Sequence, residues 1–420
     1  MSVIHARASA LWTLAPFFQT GLDCPSIVGH PGKVRGAVAR AQIRSFLIAR
    51  ERLGRAVLVV ALAEIALWCQ AVMILQLPHA ADVSDYRAYD VAARIGLQQG
   101  WSHIYDTALQ LRVLHAYWPG ASHLDYISLP INAWLVAPLT MLPPHTAFAV
   151  FAAIAWAALL FASQLASPPD RWFRVVFALL ALGSLSGAAT VVFGQVSGLV
   201  MLSVIASWRL LDADHEWWAG VALAAITLKP QLALLVPIAL VLAGRWRAVA
   251  AFAATCGVLA AVAVVAVGLP GLGQLLRLDA SYTHDPSTQV WSLSTLIGGG
   301  PAIGFALQAI VAVIALVPAW RARNRPIGMA LAAAVGGSLL SSVYLHGMDL
   351  AVYLFPIWVA AQQPWVLLRV VSGILWLSLD FDVTRPRVTA LVAAALLAAY
   401  FLSPMRLGSQ RTNPDVGPPI

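Results

Sequence analysis

Long apolar runs, each close to the length that crosses a lipid bilayer, are the feature that most constrains this chain. The first clear run covers residues 56–77, and a helix needs about 20 residues to span the hydrocarbon core. Of the 420 residues, 60% are hydrophobic and 10% are charged, whereas soluble domains carry about 25% charged residues. The runs are unbroken rather than alternating, which indicates helices and not a membrane β-barrel. The sequence predicts an all-α polytopic membrane protein, and excludes a soluble globular domain or a disordered chain.

About twelve segments are predicted to span the membrane. They are residues 56–77, 146–166, 173–193, 196–211, 217–228, 231–243, 248–267, 302–318, 327–345, 350–361, 366–379 and 388–402. Residues 129–141, which Pro130 and Pro138 interrupt, are predicted to form a re-entrant or interfacial element.

The N-terminal region carries most of the net charge of +8 and predicts the orientation. Its basic residues are Arg7, Lys33, Arg35, Arg40, Arg44, Arg50, Arg52 and Arg55. Positive charge before a first span indicates a cytoplasmic start, and without a soluble domain it does not indicate nucleic-acid binding. We therefore expect a cytoplasmic extension (1–55), a transmembrane domain (56–404) with an outside loop (78–128), and a cytoplasmic tail (405–420).

Residues 217–243 allow two interpretations, because Pro230 interrupts an otherwise apolar run. They form either one kinked helix or two short helices that turn at Lys229–Pro230. Two helices place the basic clusters at 245–247 and 321–325 inside, as the positive-inside rule requires, and we favour them. Arg385 and Arg387 then lie outside, against the rule.

This topology predicts that the polar residues between spans share the extracytoplasmic side. They are Asp85, Gln195, Lys229, the pair His284–Asp285, and the segment from His346 to Asp349. A reaction or binding site would then face outward.

Asp85 is the first candidate for chemistry. It opens an amphipathic stretch that runs to Gln99 and stops at Gly100, and Tyr89 lies four residues on, on the same helical face. An exposed carboxylate above the bilayer could act as a general base. It could equally stabilise the helix dipole, and the residues alone leave both interpretations open.

Lys229 is one of only two lysines in a chain with 26 basic residues. A cation between apolar helices is costly and therefore a functional candidate. It could bind a phosphate or reach the interface from a helix end. His346 and Asp349, three residues apart, could form a hydrogen-bonded pair, a weak metal site or an ordinary polar turn. Gln195 could bind a substrate oxygen or bridge helices.

Motifs for several other chemistries are absent. The sequence lacks a GxxxxGK[ST] phosphate loop, a GxSxG nucleophile elbow and an HExxH zinc motif. Its three cysteines are scattered and form no CxxC pair.

The order of the polar pieces resembles glycosyltransferase family 87, a group of bacterial membrane proteins that includes phosphatidylinositol-mannoside mannosyltransferases. The resemblance covers about residues 56–402. It rests on the Asp-x-x-x-Tyr of Asp85 and Tyr89, Gly100 to Asp106, Tyr126 to Pro130, Pro138, Gly194–Gln195, Lys229–Pro230 and the late His346.

The resemblance implies the GT-C fold, with short extracytoplasmic helices after the first span. It also implies a location in the bacterial inner membrane and inverting transfer of mannose or a similar sugar on the extracytoplasmic face. The donor would be a polyprenyl-phosphate sugar, and the acceptor a lipid or glycan. Asp85 would be the catalytic base, with Asp82 and Asp90 as rivals. Lys229, His346 and Gln195 would hold the donor phosphate, while Tyr89 and Asp349 would contribute to substrate binding. We expect no metal or other cofactor.

Two other function classes stay open on the residues alone. Many spans and a broken helix also suit a transporter or flippase of a lipid-linked sugar. A structural or assembly protein with a degenerate site is the third class.

Overall fold

In a computed structural model, helices form all the regular structure of the residues that it describes. It describes residues 31–122, 124–283, 300–323, 326–342, 344–379 and 386–403, and no strand occurs in these ranges. The prediction of an all-α protein is confirmed for this part of the chain. The pair His284–Asp285, most of the N-terminal extension and the predicted tail lie outside the described residues. The chain divides into two compact units, Met1–Leu58 and Val59–Ile420.

Sixteen α-helices are described in these ranges. They are α1 (Pro31–Ala80), α2 (Tyr86–Gln99), α3 (Thr107–Tyr117), α4 (Pro130–Val136), α5 (Pro144–Ala166), α6 (Arg171–Leu182), α7 (Leu185–Val192), α8 (Ser197–Asp212), α9 (Glu216–Leu223), α10 (Leu235–Leu242), α11 (Trp246–Thr283), α12 (Gly300–Arg321), α13 (Gly328–Leu340), α14 (Leu354–Ala361), α15 (Val366–Ser378) and α16 (Pro386–Leu402). Short 3₁₀ helices add Trp101–His103, Ala137–Met141, Ala224–Leu228, Pro230–Leu232 and Gly347–Tyr353.

Within the described ranges, four helical segments are long and apolar enough to cross a membrane by themselves. They are Arg44–Ala80, Pro144–Ala166, Trp246–Ser281 and Ala302–Arg321. Helices α6 and α7 would together make a fifth, although they bend by 59° where they meet. The predicted single span at 173–193 is therefore broken, because Ser184 starts a new helix by accepting a hydrogen bond from the Gly187 backbone at 3.2 Å. The other predicted spans coincide with shorter helices or with parts of helices.

The chain reverses direction within residues 216–245, as the loop charges had favoured. Lys229 has non-helical backbone angles (φ −154°, ψ 76°) between two 3₁₀ helices. Glu216 at the start of α9 forms an ion pair with Arg245 just after α10, with Nη1 and Oε1 3.1 Å apart. The two ends of the segment therefore meet, and Lys229 lies at the tip of a helical hairpin.

The hairpin packs closely because small residues meet at its flank. A Cβ added to Gly220 of α9 would lie 2.1 Å from the Ala248 carbonyl oxygen of α11. Backbones in membrane proteins approach this closely where glycine or alanine stands at the contact. This contact helps to fix α9, and with it the position of the hairpin tip.

Local sequence signals set the end of α2 and the start of α3. Gly100, with φ +105°, ends α2 as the sequence predicted, because glycine adopts positive φ without a Cβ penalty. The Asp106 side chain caps α3 by accepting from Leu109 N at 3.0 Å. Residues 129–141 form α4 and a 3₁₀ helix, where Asn132 donates to the Leu228 carbonyl at 2.9 Å and supports the tip.

Candidate active site

A cavity of about 640 Å³ lies where α2, the hairpin tip and the segment before the Gly347–Tyr353 helix meet. Its lining combines three carboxylates, one cation, aromatic rings and aliphatic side chains. The lining residues are Asp85, Ala88, Tyr89, Leu124, Asp125, Tyr126, Ile127, Ser128, Leu129, Gln195, Leu228, Lys229, Pro230, Gln231, Leu275, Leu276, Asp279, Tyr344, His346 and Met348.

Asp85 precedes α2, and its side chain does not cap that helix. The carboxylate instead accepts a short hydrogen bond from the Gln195 amide, and its own backbone N–H donates to the Phe193 carbonyl at 3.0 Å. The helix-dipole interpretation therefore does not account for where this side chain points. Asp85 faces the cavity.

Gln195 joins Asp85 to Lys229. It follows Gly194, whose φ of +61° ends α7 and turns the chain toward the cavity. Its Nε2 donates to Asp85, and its Oε1 accepts from Lys229 Nζ at 3.0 Å. The amide therefore bridges the carboxylate and the ammonium in one orientation.

Asp349 lies against Lys229 and is fully buried (0% exposed), so it does not line the cavity. Its Oδ1 accepts from Lys229 Nζ at 2.6 Å and from Ser197 Oγ at 2.7 Å. Its Oδ2 accepts from the His346 backbone N–H at 3.2 Å. The predicted link between His346 and Asp349 thus runs through the backbone, and the ring of His346 points elsewhere.

The His346 ring meets the Tyr344 hydroxyl, with Nε2 and Oη 2.9 Å apart, and both residues line the cavity. Thr190 of α7 holds the same segment by donating to the Met348 carbonyl at 2.7 Å. Burial lowers the pKa of His346, and the Lys229 charge acts in the same direction, although Asp349 opposes both. The imidazole is therefore neutral near pH 7, and Lys229 is the cation in the cavity lining.

The pKa of Asp85 lies above its ordinary value, chiefly because burial penalises the charged form. Lys229 lowers the pKa, the nearby Asp349 charge raises it, and Arg87 and the Gln195 hydrogen bond lower it. A raised pKa makes the carboxylate a stronger base once it is ionised.

The two rival carboxylates do not line the cavity. Asp90 is fully buried and accepts from Arg94 Nε at 2.9 Å and from Trp118 Nε1 at 3.0 Å. Asp82 is 57% exposed in its side chain and lies 3.3 Å from His145. Asp85 alone of these three carboxylates faces the cavity.

Tyr89 lies one turn after Asp85 and lines the cavity, as their spacing on one face predicted. Its ring packs edge-on against Tyr126, with centroids 6.3 Å apart, and Tyr126 stacks on Tyr105 at 5.6 Å. Of the loop aromatics, Tyr89 and Tyr126 reach the cavity, and Tyr105 supports them from behind.

Sequence reasoning missed several residues of this site. Ser197 and Tyr344 each lie two positions from a residue that was singled out, but no motif marks them. Asp125 and Asp279 line the cavity from segments far apart in the sequence, so only tertiary structure brings them together. Among the described residues, no group of three or more His, Cys, Asp or Glu side chains could hold a metal ion, and a metal-free mechanism stays a prediction.

A comparison with known protein families gives a match. The model of glycosyltransferase family 87 matches residues 129–345, just over half of the chain. This range includes Gln195 and Lys229, whereas Asp85 precedes it and His346 follows it directly. Searches of curated proteins and of solved structures found no match. With its apolar helices and this match, the chain belongs to glycosyltransferase family 87 and is a membrane glycosyltransferase.

Proposed function

We propose that the cavity transfers a sugar, mannose or a similar one, from a polyprenyl-phosphate donor to a hydroxyl group of a lipid or glycan acceptor. The reaction would take place on the extracytoplasmic face of the inner membrane, within a GT-C-type arrangement of about twelve spans. The observation that carries the proposal is that one amide, Gln195, joins a carboxylate and an ammonium, and that all three groups line one cavity.

The chemistry assigns a separate task to each charged group. Asp85 removes the proton of the acceptor hydroxyl as the hydroxyl oxygen attacks the anomeric carbon of the donor. The bond from that carbon to the phosphate oxygen breaks, and the lipid phosphate leaves with the electron pair. Displacement from the opposite face inverts the anomeric centre. Lys229 stabilises the negative charge that develops on the leaving phosphate.

The charge of the cavity favours a monophosphate donor. Of the described residues that line the cavity, Lys229 is the one cation, against the carboxylates Asp85, Asp125 and Asp279. The Lys229 ammonium also pairs with Asp349, so it offsets even the single negative charge of a sugar phosphodiester only in part. A diphosphate would bring a second negative charge among these carboxylates, which raises the cost of binding it in a partly desolvated site.

The remaining residues support donor and sugar binding. His346 is neutral near pH 7, so we expect it to contribute a hydrogen bond to the donor phosphate rather than a charge. The rings of Tyr89 and Tyr126 offer apolar faces to a sugar. Leu228, Leu275 and other aliphatic side chains of the lining suit the first isoprene units of a polyprenyl tail.

The test is Asp85→Asn, with Asp82→Asn as a matched control in the same loop. Membrane glycolipids and envelope glycans of a deletion strain, complemented with each variant, are compared by mass spectrometry. A general base contributes roughly 10²- to 10⁴-fold to a rate, so Asp85→Asn should leave the product one sugar short. Asp82→Asn should restore it, because Asp82 lies outside the cavity.

The pH dependence follows from the same assignment. Only the ionised carboxylate can accept the proton, so the transfer rate falls as the pH drops through the raised pKa of Asp85. This fall in rate at low pH, the acid limb of the pH profile, should be absent from any residual activity of Asp85→Asn. If stably produced Asp85→Asn restores the glycan, Asp85 is not the base, and transport of a lipid-linked sugar becomes the better explanation.

A further inference from the structure

Asp349 is a buried carboxylate in direct contact with the proposed catalytic groups but outside the cavity that the substrates would enter. We infer that Asp349 is a positioning residue, which holds the Lys229 ammonium and, through it, the Gln195 amide in the geometry that transfer needs. The inference rests on the proposed function, and it replaces a substrate-binding role for Asp349.

The contacts of Asp349 leave it no free oxygen for a substrate. One oxygen accepts from Ser197 Oγ at 2.7 Å and from Lys229 Nζ at 2.6 Å, and the other accepts from the His346 backbone at 3.2 Å. A buried carboxylate of this kind acts on its neighbours through charge-assisted hydrogen bonds. An anion would also repel the donor phosphate.

The donors and acceptors of the hydrogen-bonded groups show how the Asp349 carboxylate orients Lys229 and, through it, Gln195. An ammonium has three donors and no acceptor. Among the described residues, Asp349 and Gln195 take two of them, so one N–H remains for a ligand. Because Lys229 only donates, it binds the amide oxygen of Gln195 and turns the amide nitrogen toward Asp85. Asp349 thereby orders a long, flexible side chain before the donor arrives, which lowers the entropic cost of binding the phosphate.

A purely structural role is the alternative. Asp349 also lies in the first turn of the Gly347–Tyr353 helix, where it accepts from the His346 backbone. A cap alone would affect stability and leave the kinetics of transfer unchanged. The coupling between Asp349 and Lys229 separates the two roles, because the effect of a cap alone would not depend on the lysine. The charged groups that act on Asp85 are Lys229, Asp349 and Arg87, and the Asp349 charge raises the pKa of Asp85.

The experiment is a double-mutant cycle with Asp349→Asn, Lys229→Gln and the double variant, each purified in detergent. Transfer from a synthetic polyprenyl-phosphate sugar is measured against pH, together with thermal unfolding. We expect Asp349→Asn to lower kcat about tenfold or more and to move the acid limb to lower pH. In the Lys229→Gln background, Asp349→Asn should cost less than about twofold, because a residue that acts through another is non-additive with it.

Ser197→Ala is the matched control, because it removes a hydrogen bond to Asp349 and keeps every charge. Its acid limb should coincide with that of the wild type. If Asp349→Asn does not fold, the double variant decides the question. A carboxylate that serves Lys229 becomes dispensable once the lysine is neutral, so the double variant should fold. A double variant that is as unstable as Asp349→Asn would overturn the inference.

Failure of the inference and failure of the proposed function give different results. If the wild type transfers the sugar and Asp85→Asn does not, an unmoved acid limb and unchanged kcat in Asp349→Asn refute only the positioning role. If the wild type does not use the polyprenyl-phosphate sugar, the proposed function fails; if the wild type uses it and Asp85→Asn remains active, the assignment of Asp85 as the base fails. The unfolding cycle then still tests the coupling of Asp349 to Lys229, and additive losses would refute it.

Discussion

Gly194 lies at the contact between the turn after α7, which carries Gln195, and the start of α2, which follows Asp85. Replacing Gly194 with alanine should disturb the contact between Gln195 and Asp85. The residue ends α7 with φ +61°, next to Gln195. Its backbone N–H donates to Val191 O at 3.1 Å, and that of Gln195 donates to Thr190 O at 2.9 Å. An added Cβ would lie 2.7 Å from the Cβ of Tyr86, the residue that follows Asp85.

Two effects set the magnitude of the change. Alanine in the left-handed conformation costs about 1 kcal/mol relative to glycine. Carbon atoms in contact normally lie about 3.5–4.0 Å apart, so the distance of 2.7 Å requires a shift of roughly 0.8 Å or more between α2 and the turn. This shift acts on the contact between Gln195 and Asp85. Since a misplacement of about 1 Å can cost roughly 100-fold in rate, we expect transfer to fall by about 10- to 100-fold.

Gly244→Ala is a closely matched control. Gly244 ends α10 with φ +76°, and its backbone N–H and that of Arg245 donate to Val241 O and Leu240 O at 3.0 and 2.9 Å, the same pattern. A Cβ on Gly244 would meet nothing within 4 Å, so this variant has the conformational cost without the collision. Both variants should fold, and Gly244→Ala should keep its transfer rate within about threefold of the wild type.

The assay is transfer in detergent with thermal unfolding on the same samples, so that a loss of activity can be separated from a loss of fold. Equal transfer rates in Gly194→Ala and Gly244→Ala would refute this reasoning, because they would show that the contact between α7 and α2 does not position the site.

Two further predictions concern stability. Asp90→Ala leaves Arg94, whose side chain is 6% exposed, without its carboxylate. It should destabilise the protein by about 3–5 kcal/mol and lower the unfolding temperature. Asp82→Ala, at the exposed pair with His145, should cost at most about 1 kcal/mol. Equal losses of stability in the two variants would contradict a stabilising role for the buried pair of Asp90 and Arg94. Gly220→Ala would place a Cβ 2.1 Å from a backbone oxygen of α11 and should cost about 1–3 kcal/mol through overpacking. Gly257→Ala in α11 is the control, because its added Cβ would meet nothing within 4 Å, and it should not lower the melting temperature. If Gly220→Ala is as stable as Gly257→Ala, the close approach of α9 and α11 is refuted.

The candidate site was predictable where local sequence carries the information. Asp85 and Tyr89 share a helical face by spacing alone, and Gly100 ends their helix where the pattern predicted. The distribution of basic loops favoured a turn at Lys229, which the ion pair between Glu216 and Arg245 confirms. The family resemblance is confirmed over residues 129–345, whereas the roles of the individual residues stay predictions.

By itself, the sequence determined that the chain is helical and lies in a membrane, because long apolar runs with few charges leave no other way to satisfy the backbone in lipid. It also singled out most of the polar residues of the site, because polar groups between apolar helices are costly and stand out. Tertiary structure alone decided which of them meet. Along the chain, Asp85, Gln195, Lys229 and Asp349 each lie 34 to 120 positions from the next, and periodicity within a helix carries no information about contacts between distant helices. For the same reason, only packing shows that Asp85 lines the cavity whereas Asp90 is buried beside Arg94.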